Sequence, residues 1–198
     1  MIETEYDVIV AGYGPVGETC ANLLGYYGIK ALILDKEKNA YPLPRAITWD
    51  AECQRAMSHC EFISEVKTRK IRGVDNKDAN KKSIMKITME GFDTYNYQHR
   101  ILFIHQPQFD EAHRENAKKY STNTIKTGSE LLAVDEINGV VNCTYKNIET
   151  NEQFKVTSKY LLACDGANST VRKLNNIKLN SLDADEAWMV VDGYTKSS

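Results

Sequence analysis

A glycine-rich turn follows a short apolar run in residues 6–17, YDVIVAGYGPVG. An apolar run bounded by turn residues is typical of a buried parallel strand. Pro15 suits the first turn of a following helix, and Gly28 suits the end of that helix. A second apolar run at 31–34 predicts another buried strand. The stretch therefore predicts one βαβ unit.

The three glycines have the Gly-x-Gly-x-x-Gly spacing that lets backbone approach a diphosphate. In this pattern Gly12 permits a tight turn, Gly14 leaves room for the phosphates, and Gly17 lets the helix pack on the strand. The N–H groups and the positive dipole end of the helix then hold the diphosphate.

An acid closes the second strand. Asp35 lies 18 residues beyond Gly17, where it can accept hydrogen bonds from both ribose hydroxyls and would repel a 2′-phosphate. NADP is therefore not expected here, but the pattern does not choose between NAD and FAD. The cofactor-binding residues predicted for this unit are Gly12, Gly14, Pro15, Val16, Gly17, Asp35 and Lys36.

The middle of the chain has weaker patterns. We expect, in chain order, a helix over 49–66, a loop over 67–82, two strands within 83–98, a strand at 101–104 and a helix over 107–120. An antiparallel meander is expected over 130–162, with Asn138-Gly139 as a hairpin turn and a second reversal at 147–152.

A second motif, CDGANSTVR at 164–172, follows the apolar strand of the meander. It resembles the Asp-Gly motif of flavoprotein monooxygenases related to p-hydroxybenzoate hydroxylase, with Cys164 in an Ala position. The matching residues are Asp165, Gly166, Ser169, Val171 and Arg172. The resemblance implies FAD as the cofactor and assigns Asp165 and Gly166 to its binding site.

Two intermediate segments are similar to the same family. YPLPRA at 41–46 resembles the Pro-Arg-Ala element of its phenolic-acid hydroxylase branch, which includes 3-(3-hydroxyphenyl)propionate hydroxylase. The resemblance places Arg45 beside the flavin, and the alternative is an arginine of a solvated loop. FIHQPQF at 103–109 resembles the family's Gln-Pro element and implies a hydrogen bond from Gln106 to the cofactor. His105 is interpreted as structural.

The resemblance implies an activity. In this family NADH or NADPH reduces FAD, which binds O2 as a C4a-hydroperoxide and hydroxylates a phenolic or aromatic acid. No catalytic residue of this chain is identified by the motifs. The open alternatives are a catalytically inactive remnant or interaction module, a same-fold flavin oxidoreductase that does not oxygenate, and an NAD-dependent dehydrogenase.

The expected fold class is α/β: a Rossmann-like FAD-binding domain of glutathione-reductase type, with an antiparallel β-meander and the start of a β-sheet substrate domain. Residues 1–180 are assigned to the FAD-binding domain, with 67–100 as a candidate contribution to the substrate domain, which begins at 181–198. The family's third FAD segment, a later Gly-Asp, has no match. We therefore expect the N-terminal portion of a hydroxylase, completed by a missing C-terminal half or associating as a homo-oligomer.

Composition excludes several other classes. The 198 residues include 25 basic and 27 acidic ones, with a net charge of -2 and no basic block, so no nucleic acid partner is expected. No apolar run is long enough to predict a membrane span. The five cysteines form no Cys-x-x-Cys pair, so neither a metal site nor a disulfide framework is expected, and a cytoplasmic location is favoured.

Overall fold

One six-stranded sheet contains four parallel strands, and the last of these is also the third strand of an antiparallel meander. The computed structural model describes residues 4–43, 45–60, 66–89, 99–181, 186–187 and 189. The elements, in chain order, are β1 (Thr4–Ala11), α1 (Pro15–Tyr26), β2 (Ala31–Asp35), β3 (Thr48–Asp50), α2 (Ala51–Ala56), β4 (Arg69–Lys70), β5 (Gly73–Lys77), β6 (Ser83–Thr88), β7 (Ile101–Phe103), α3 (Gln106–Lys118), β8 (Asn123–Thr127), β9 (Ser129–Ile137), β10 (Val140–Asn147), β11 (Gln153–Ala163) and α4 (Thr170–Leu174).

The order of the large sheet is β8-β2-β1-β11-β10-β9. β1 lies between β2 and β11 and is parallel to both, with Ala11 level with Leu34 on one side and Ala163 on the other. The three strands therefore end at the same edge of the sheet. In open α/β sheets ligands bind outside the carboxyl ends of the parallel strands, so this edge is where a site is expected.

Both faces of β1 are covered, which explains its continuous apolar sequence. On one face Val10 packs in a cluster with Ala21 of α1 and Ala117 of α3. On the other face Ile9 packs with Tyr145 and other residues of the meander. Ile9 and Val10 have no exposed surface, and burial of such a side chain contributes about 1.5–3 kcal/mol.

The predicted α/β class and the order of its parts are confirmed. The βαβ unit, the helix after residue 105 and the three-stranded meander lie where the patterns predict them. At the meander's first turn Asn138 and Gly139 both have positive φ, 52° and 76°, as the two central residues of a type I′ hairpin require. In the described part of the chain, every helix is too short or too polar to cross a membrane.

The predicted helix over 49–66 was wrong at its start and too long, because the helix spans only Ala51–Ala56 and is followed by a turn at Met57. Trp49 lies in β3, and its buried ring meets that of Phe109 edge-on at 4.9 Å between centroids. The helix begins only after Asp50, whose side chain accepts a hydrogen bond from the N–H of Cys53 at 2.8 Å. Long-range packing of an indole outweighed the local helical pattern, since propensity is a weak prior.

The loop predicted for 67–82 was also wrong, because the segment contains β4 and β5. β5 pairs with β6 in an antiparallel hairpin. All five residues of β5 are exposed, so its sequence has no alternation of apolar and polar residues that would predict a strand. Asp78 shapes the turn by accepting hydrogen bonds from the N–H groups of Asn80 and Lys82. β6 confirms one of the two strands predicted in 83–98; the other falls mostly in 90–98, which lies outside the described residues, as do 61–65 of the predicted helix.

The edge strand β8 was not predicted. Its sequence, NTIKT, is mostly polar, and only its pairing with β2 makes it part of the sheet. The side chain of Asn123 donates hydrogen bonds to the carbonyls of Ala21 and Ala117, both at 3.0 Å. A polar residue thus attaches this strand to α1 and α3. The assignment of 181–198 to a second domain stays a prediction, since most of that segment lies outside the described residues.

Candidate functional site

The two sequence motifs meet at the common edge of β1 and β11. Gly12 has φ of +100°, and a Cβ placed on it would lie 2.3 Å from the carbonyl oxygen of Cys164 and 2.8 Å from Cα of Asp165. A Cβ on Gly17 would lie 1.9 Å from the carbonyl oxygen of Gly12. Both positions therefore admit only glycine, because helix, turn and second motif are in direct backbone contact.

Gly14 differs from the other two glycines. A Cβ on Gly14 would meet no atom within 4 Å, so the chain's own packing does not require glycine there. Gly14 is the N-cap of α1, no side chain of the described residues caps this helix, and Pro15 and Val16 in its first turn are exposed. The helix thus presents its N-terminus to open space, an arrangement that favours an anionic ligand.

Asp35 organises the turn as well as closing β2. One carboxylate oxygen accepts a hydrogen bond from the N–H of Tyr13 at 2.7 Å, and the other accepts one from the N–H of Glu37 at 2.8 Å. A carboxylate oxygen has two lone pairs, so each can accept one further hydrogen bond. The predicted ribose contact fits this geometry. Lys36, the next residue, is exposed.

The two carboxylate oxygens of Asp165 differ in their contacts. Its Oδ2 accepts hydrogen bonds from the N–H groups of Thr170 and Val171, at 2.6 and 3.1 Å, and so holds the start of α4. Its Oδ1 is buried and makes no hydrogen bond within the described chain. Gly166, with φ of +79°, faces open space in the same way as Gly14. This Asp-Gly turn therefore has both an acceptor and room for a ligand.

Gln106 contacts the Pro-Arg-Ala segment. Its buried side-chain oxygen accepts hydrogen bonds from the N–H groups of Arg45 and Ala46, both at 2.7 Å, and its amide nitrogen donates to Asp110 at 3.3 Å. The oxygen is therefore fully used inside the chain. The guanidinium of Arg45 is exposed and stacks 3.8 Å above the ring of Tyr41. The structure brings these two predicted residues together, and their contact with a cofactor stays a prediction.

Arg114 of α3 is a residue that the sequence patterns missed. Its Nε donates to Oε1 of Glu18 at 2.7 Å, its Nη2 donates to the carbonyl of Tyr13, and its guanidinium lies 4.6 Å from the centre of the Tyr13 ring. Arg114 therefore holds the glycine-rich turn against α3. No motif surrounds Arg114, and its partners lie about a hundred positions away, so no local signal could have found it.

Burial perturbs the groups around this ion pair. Glu18 has no exposed surface, and burial raises its pKa to about 8 despite the hydrogen bond from Arg114. Its Oε2 makes no hydrogen bond within the described chain and lies 3.7 Å from Nδ1 of His113. Burial lowers the pKa of His113 to about 4. Burial thus favours the neutral form of both groups.

A cavity of about 620 Å³ lies beside Tyr13, at the carboxyl ends of β2 and β8. This volume falls within the usual range of small-molecule sites, about 300–1,000 Å³. Its lining residues include Tyr13, Lys38, Tyr41, Pro107, Arg114 and Thr127. The described residues contain no cluster of three or more His, Cys, Asp or Glu side chains that could hold a metal ion.

Comparison with known proteins adds to this geometry. The sequence model of a family described as "FAD binding domain" matches residues 5–197. The 3-(3-hydroxy-phenyl)propionate/3-hydroxycinnamic acid hydroxylase of Comamonas testosteroni is 28% identical over 192 residues, which are 96% of this chain and 32% of that protein. The protein of the same name from Escherichia coli O8 (strain IAI1) is 31% identical over 190 residues, which are 93% of this chain and 33% of that protein.

A solved structure shows the same fold. p-Nitrophenol 4-monooxygenase from Pseudomonas putida DLL-E4 superposes with a TM-score of 0.76 at 23% sequence identity, covering 86% of this chain and 43% of that one. The chain spans about a third of the length of the curated relatives that it matches.

Proposed function

The chain belongs to the FAD binding domain family, and we propose that its glycine-rich turn at 12–17, Asp35 and the Asp165-Gly166 turn together bind FAD. The resemblance seen in the sequence is thereby confirmed. One observation supports the shared site above all: Gly12 lies so close to Cys164 that a Cβ would stand 2.3 Å from its carbonyl oxygen. Two motifs about 150 residues apart thus form one surface.

The parts of this surface suit different parts of FAD. The uncapped N-terminus of α1, with open space at Gly14, suits the diphosphate. The carboxylate of Asp35 suits the ribose hydroxyls, and the adjacent cavity at the ends of β2 and β8 suits the adenosine. The unpaired Oδ1 of Asp165 suits a hydroxyl donor further along the cofactor. Gln106 is a positioning residue in this proposal, since it fixes the backbone that carries Arg45.

The activity proposed for the whole protein is hydroxylation of a phenolic or aromatic acid with O2 and NADH or NADPH. Relatives that are 28% and 31% identical bear the names of such hydroxylases, which supports this assignment. Bound FAD supplies the redox and oxygen chemistry. The residues of this chain bind and orient it, and no catalytic residue is assigned among them.

Substitution of Gly14 tests the cofactor site separately from folding. Gly14 has an extended backbone conformation, φ −85° and ψ −171°, and its side-chain direction is open. Gly14→Trp should therefore retain the circular dichroism spectrum and melting temperature while filling the space in front of the helix. Ile137→Trp, at an exposed position of the edge strand β9, places the same side chain away from the glycine-rich turn without a change of charge and is the matched control.

The measurement is FAD titration followed by flavin absorption and by quenching of flavin fluorescence. We expect wild type and Ile137→Trp to take up FAD, and Gly14→Trp to bind it at least about tenfold more weakly, a loss of about 1.4 kcal/mol or more. A wild-type protein that takes up no FAD, or a folded Gly14→Trp that binds it as well as wild type, would contradict the proposal.

The hydroxylase activity needs its own assay. With FAD bound, NADH or NADPH oxidation is measured with and without a hydroxylated phenylpropionate, and the product is analysed by mass spectrometry. Hydroxylated product supports the substrate class. FAD uptake without substrate-stimulated oxidation would support the cofactor site and contradict the activity for this chain alone.

A further inference from the structure

Two cysteines from opposite ends of the chain meet behind the glycine-rich turn. Cys20 lies in α1 and Cys164 directly follows β11, and their Sγ atoms are 4.0 Å apart although 144 positions separate them. Both side chains are partly buried and pack against the same apolar cluster. Each thiol is therefore sheltered by the fold and still partly accessible to a small solute.

The backbones that carry the two thiols are already fixed in close contact. The N–H of Cys164 donates to the carbonyl of Ala11 at 2.7 Å, and a Cβ on Gly17 would lie 3.5 Å from Cβ of Cys164. A disulfide needs the Sγ atoms at about 2.05 Å, so they must approach each other by about 2 Å. A disulfide therefore requires the two side chains to rotate toward each other.

The pair also differs chemically from the other cysteines. The hydrogen bond between the two thiols lowers the pKa of Cys20 and raises that of Cys164. Burial instead raises the pKa of Cys53, Cys60 and Cys143, that of Cys143 to about 12. Since the thiolate is the reactive form, Cys20 is the thiol most readily oxidised, and its neighbour is placed to resolve the product.

We propose that Cys20 and Cys164 form a redox-sensitive pair, which hydrogen peroxide converts into a disulfide that fastens α1 to the Asp165-Gly166 turn. In the first step the Cys20 thiolate attacks one peroxide oxygen, the O–O bond breaks, and a sulfenic acid and hydroxide form. In the second step the Cys164 sulfur attacks the Cys20 sulfur, the S–O bond breaks, and its proton leaves with the hydroxyl as water. The two thiols lose two electrons in total, and the peroxide gains them.

This link would stabilise the fold. It closes a loop of more than a hundred residues, and such cross-links stabilise chiefly by restricting the unfolded chain. It also ties together the two turns that meet at Gly12. The inference stands on contacts within the chain and goes beyond the proposed cofactor binding, on which it does not depend.

Peptide mapping tests the cross-link without flavin. The reduced protein is treated with hydrogen peroxide, remaining thiols are alkylated, and trypsin is added. Cleavage leaves Cys20 in fragment 1–30 and Cys164 in fragment 160–172. We expect one species with the combined mass of these fragments less two hydrogens, which dithiothreitol separates. Cys20→Ser and Cys164→Ser should lack it, while Cys53→Ser, which removes a lone exposed thiol, should keep it.

Thermal unfolding supplies the second readout. Oxidised wild type and oxidised Cys53→Ser should melt about 5–10 °C above their reduced forms, whereas Cys20→Ser and Cys164→Ser should show no such rise. A folded wild-type protein in which Cys20 is over-oxidised or unmodified, with no linked fragments, would overturn the proposal. So would a linked protein whose melting temperature does not rise.

Discussion

Removal of Arg114 should destabilise the protein in a manner that depends on pH. Glu18 is fully buried, and the side chain of Arg114 is only 12% exposed. Replacement by methionine keeps much of the apolar stem but leaves Glu18 without its cationic partner. Breaking a buried ion pair by removal of one partner costs about 3–5 kcal/mol when the remaining charge stays buried.

The pKa of Glu18 sets the pH range of the effect. It is about 8 in the folded protein, against 4.5 for an ordinary glutamate. Between these values the folded protein holds a proton that the unfolded chain has lost, so the free energy of unfolding falls as the pH rises. At about 1.4 kcal/mol for each pKa unit, Glu18 accounts for at most about 5 kcal/mol of this fall.

The loss of unfolding free energy caused by Arg114→Met should therefore differ between about pH 6 and about pH 9. At about pH 6 Glu18 is neutral in both proteins, and only hydrogen bonds are lost, at about 1–2 kcal/mol. At about pH 9 the wild-type carboxylate is ionised and paired, whereas the variant must keep Glu18 protonated; with a wild-type pKa of about 8 this adds at most about 1.4 kcal/mol, so the variant should lose about 2–3.5 kcal/mol. Urea unfolding followed by circular dichroism measures both values.

Two further variants separate charge from packing. Lys118→Met lies on the same helix but removes an exposed ion pair with Glu115, so it should change stability by less than about 0.5 kcal/mol at either pH. In a Glu18→Gln background Arg114→Met should cost the same at both pH values. An equal cost of Arg114→Met at about pH 6 and pH 9 in the otherwise wild-type protein would refute the reasoning.

Three other changes probe the same interface and the site. Because burial lowers the pKa of His113 to about 4 from 6.5, His113 by itself makes stability fall as the pH drops from 6.5 to 4, by at most about 1.4 kcal/mol per pH unit, and this opposes the contribution of Glu18 above about pH 4.5. In urea unfolding His113→Phe should therefore gain stability relative to wild type as the pH falls through this range, and a constant difference between the two proteins would count against it. Gln106→Leu leaves two backbone N–H groups without an acceptor, so limited trypsin digestion should cut after Arg45 several-fold faster than in wild type, and equal rates would contradict that role. Gly17→Ala should lower the free energy of unfolding by more than about 3 kcal/mol or prevent folding, since its Cβ would lie 1.9 Å from a carbonyl oxygen. Gly14→Ala should lower it by less than about 1 kcal/mol. Similar melting temperatures for the two variants would show that the close contact at Gly17 does not require glycine.

The elements that the sequence predicted well are those with a local cause. The βαβ unit depends on apolar runs, on Pro15 at a helix start and on Gly12 with positive φ, all within neighbouring residues. The hairpin at Asn138-Gly139 likewise depends on two adjacent residues that tolerate positive φ. The wrong assignments, Trp49 in a helix and 67–82 as a loop, concern segments whose structure depends on strands elsewhere in the chain.

The same difference between local and long-range causes applies to the residues of the candidate site. The sequence predicted the glycines and Asp35 from the spacing that close backbone approach and an acid at a strand end require, and it predicted Asp165 from the resemblance of its motif to a known family. It could not show that Gln106 holds the Arg45 backbone, since that hydrogen bond joins residues about sixty positions apart. Nor could it show Arg114 against Glu18, because ion pairs across helices leave no pattern in either helix alone.

By itself, then, the sequence determined the kind of unit, the edge of the sheet where a dinucleotide would bind, and the family. Only the tertiary structure decided that the two motifs share one surface, that Asp165 keeps one oxygen free of hydrogen bonds within the described chain, and that Cys20 meets Cys164. The physical reason is that backbone conformation and periodic burial are encoded among near neighbours. Contacts across a hundred or more residues depend on how strands align, and the parallel register of β1 with β11 sets them here.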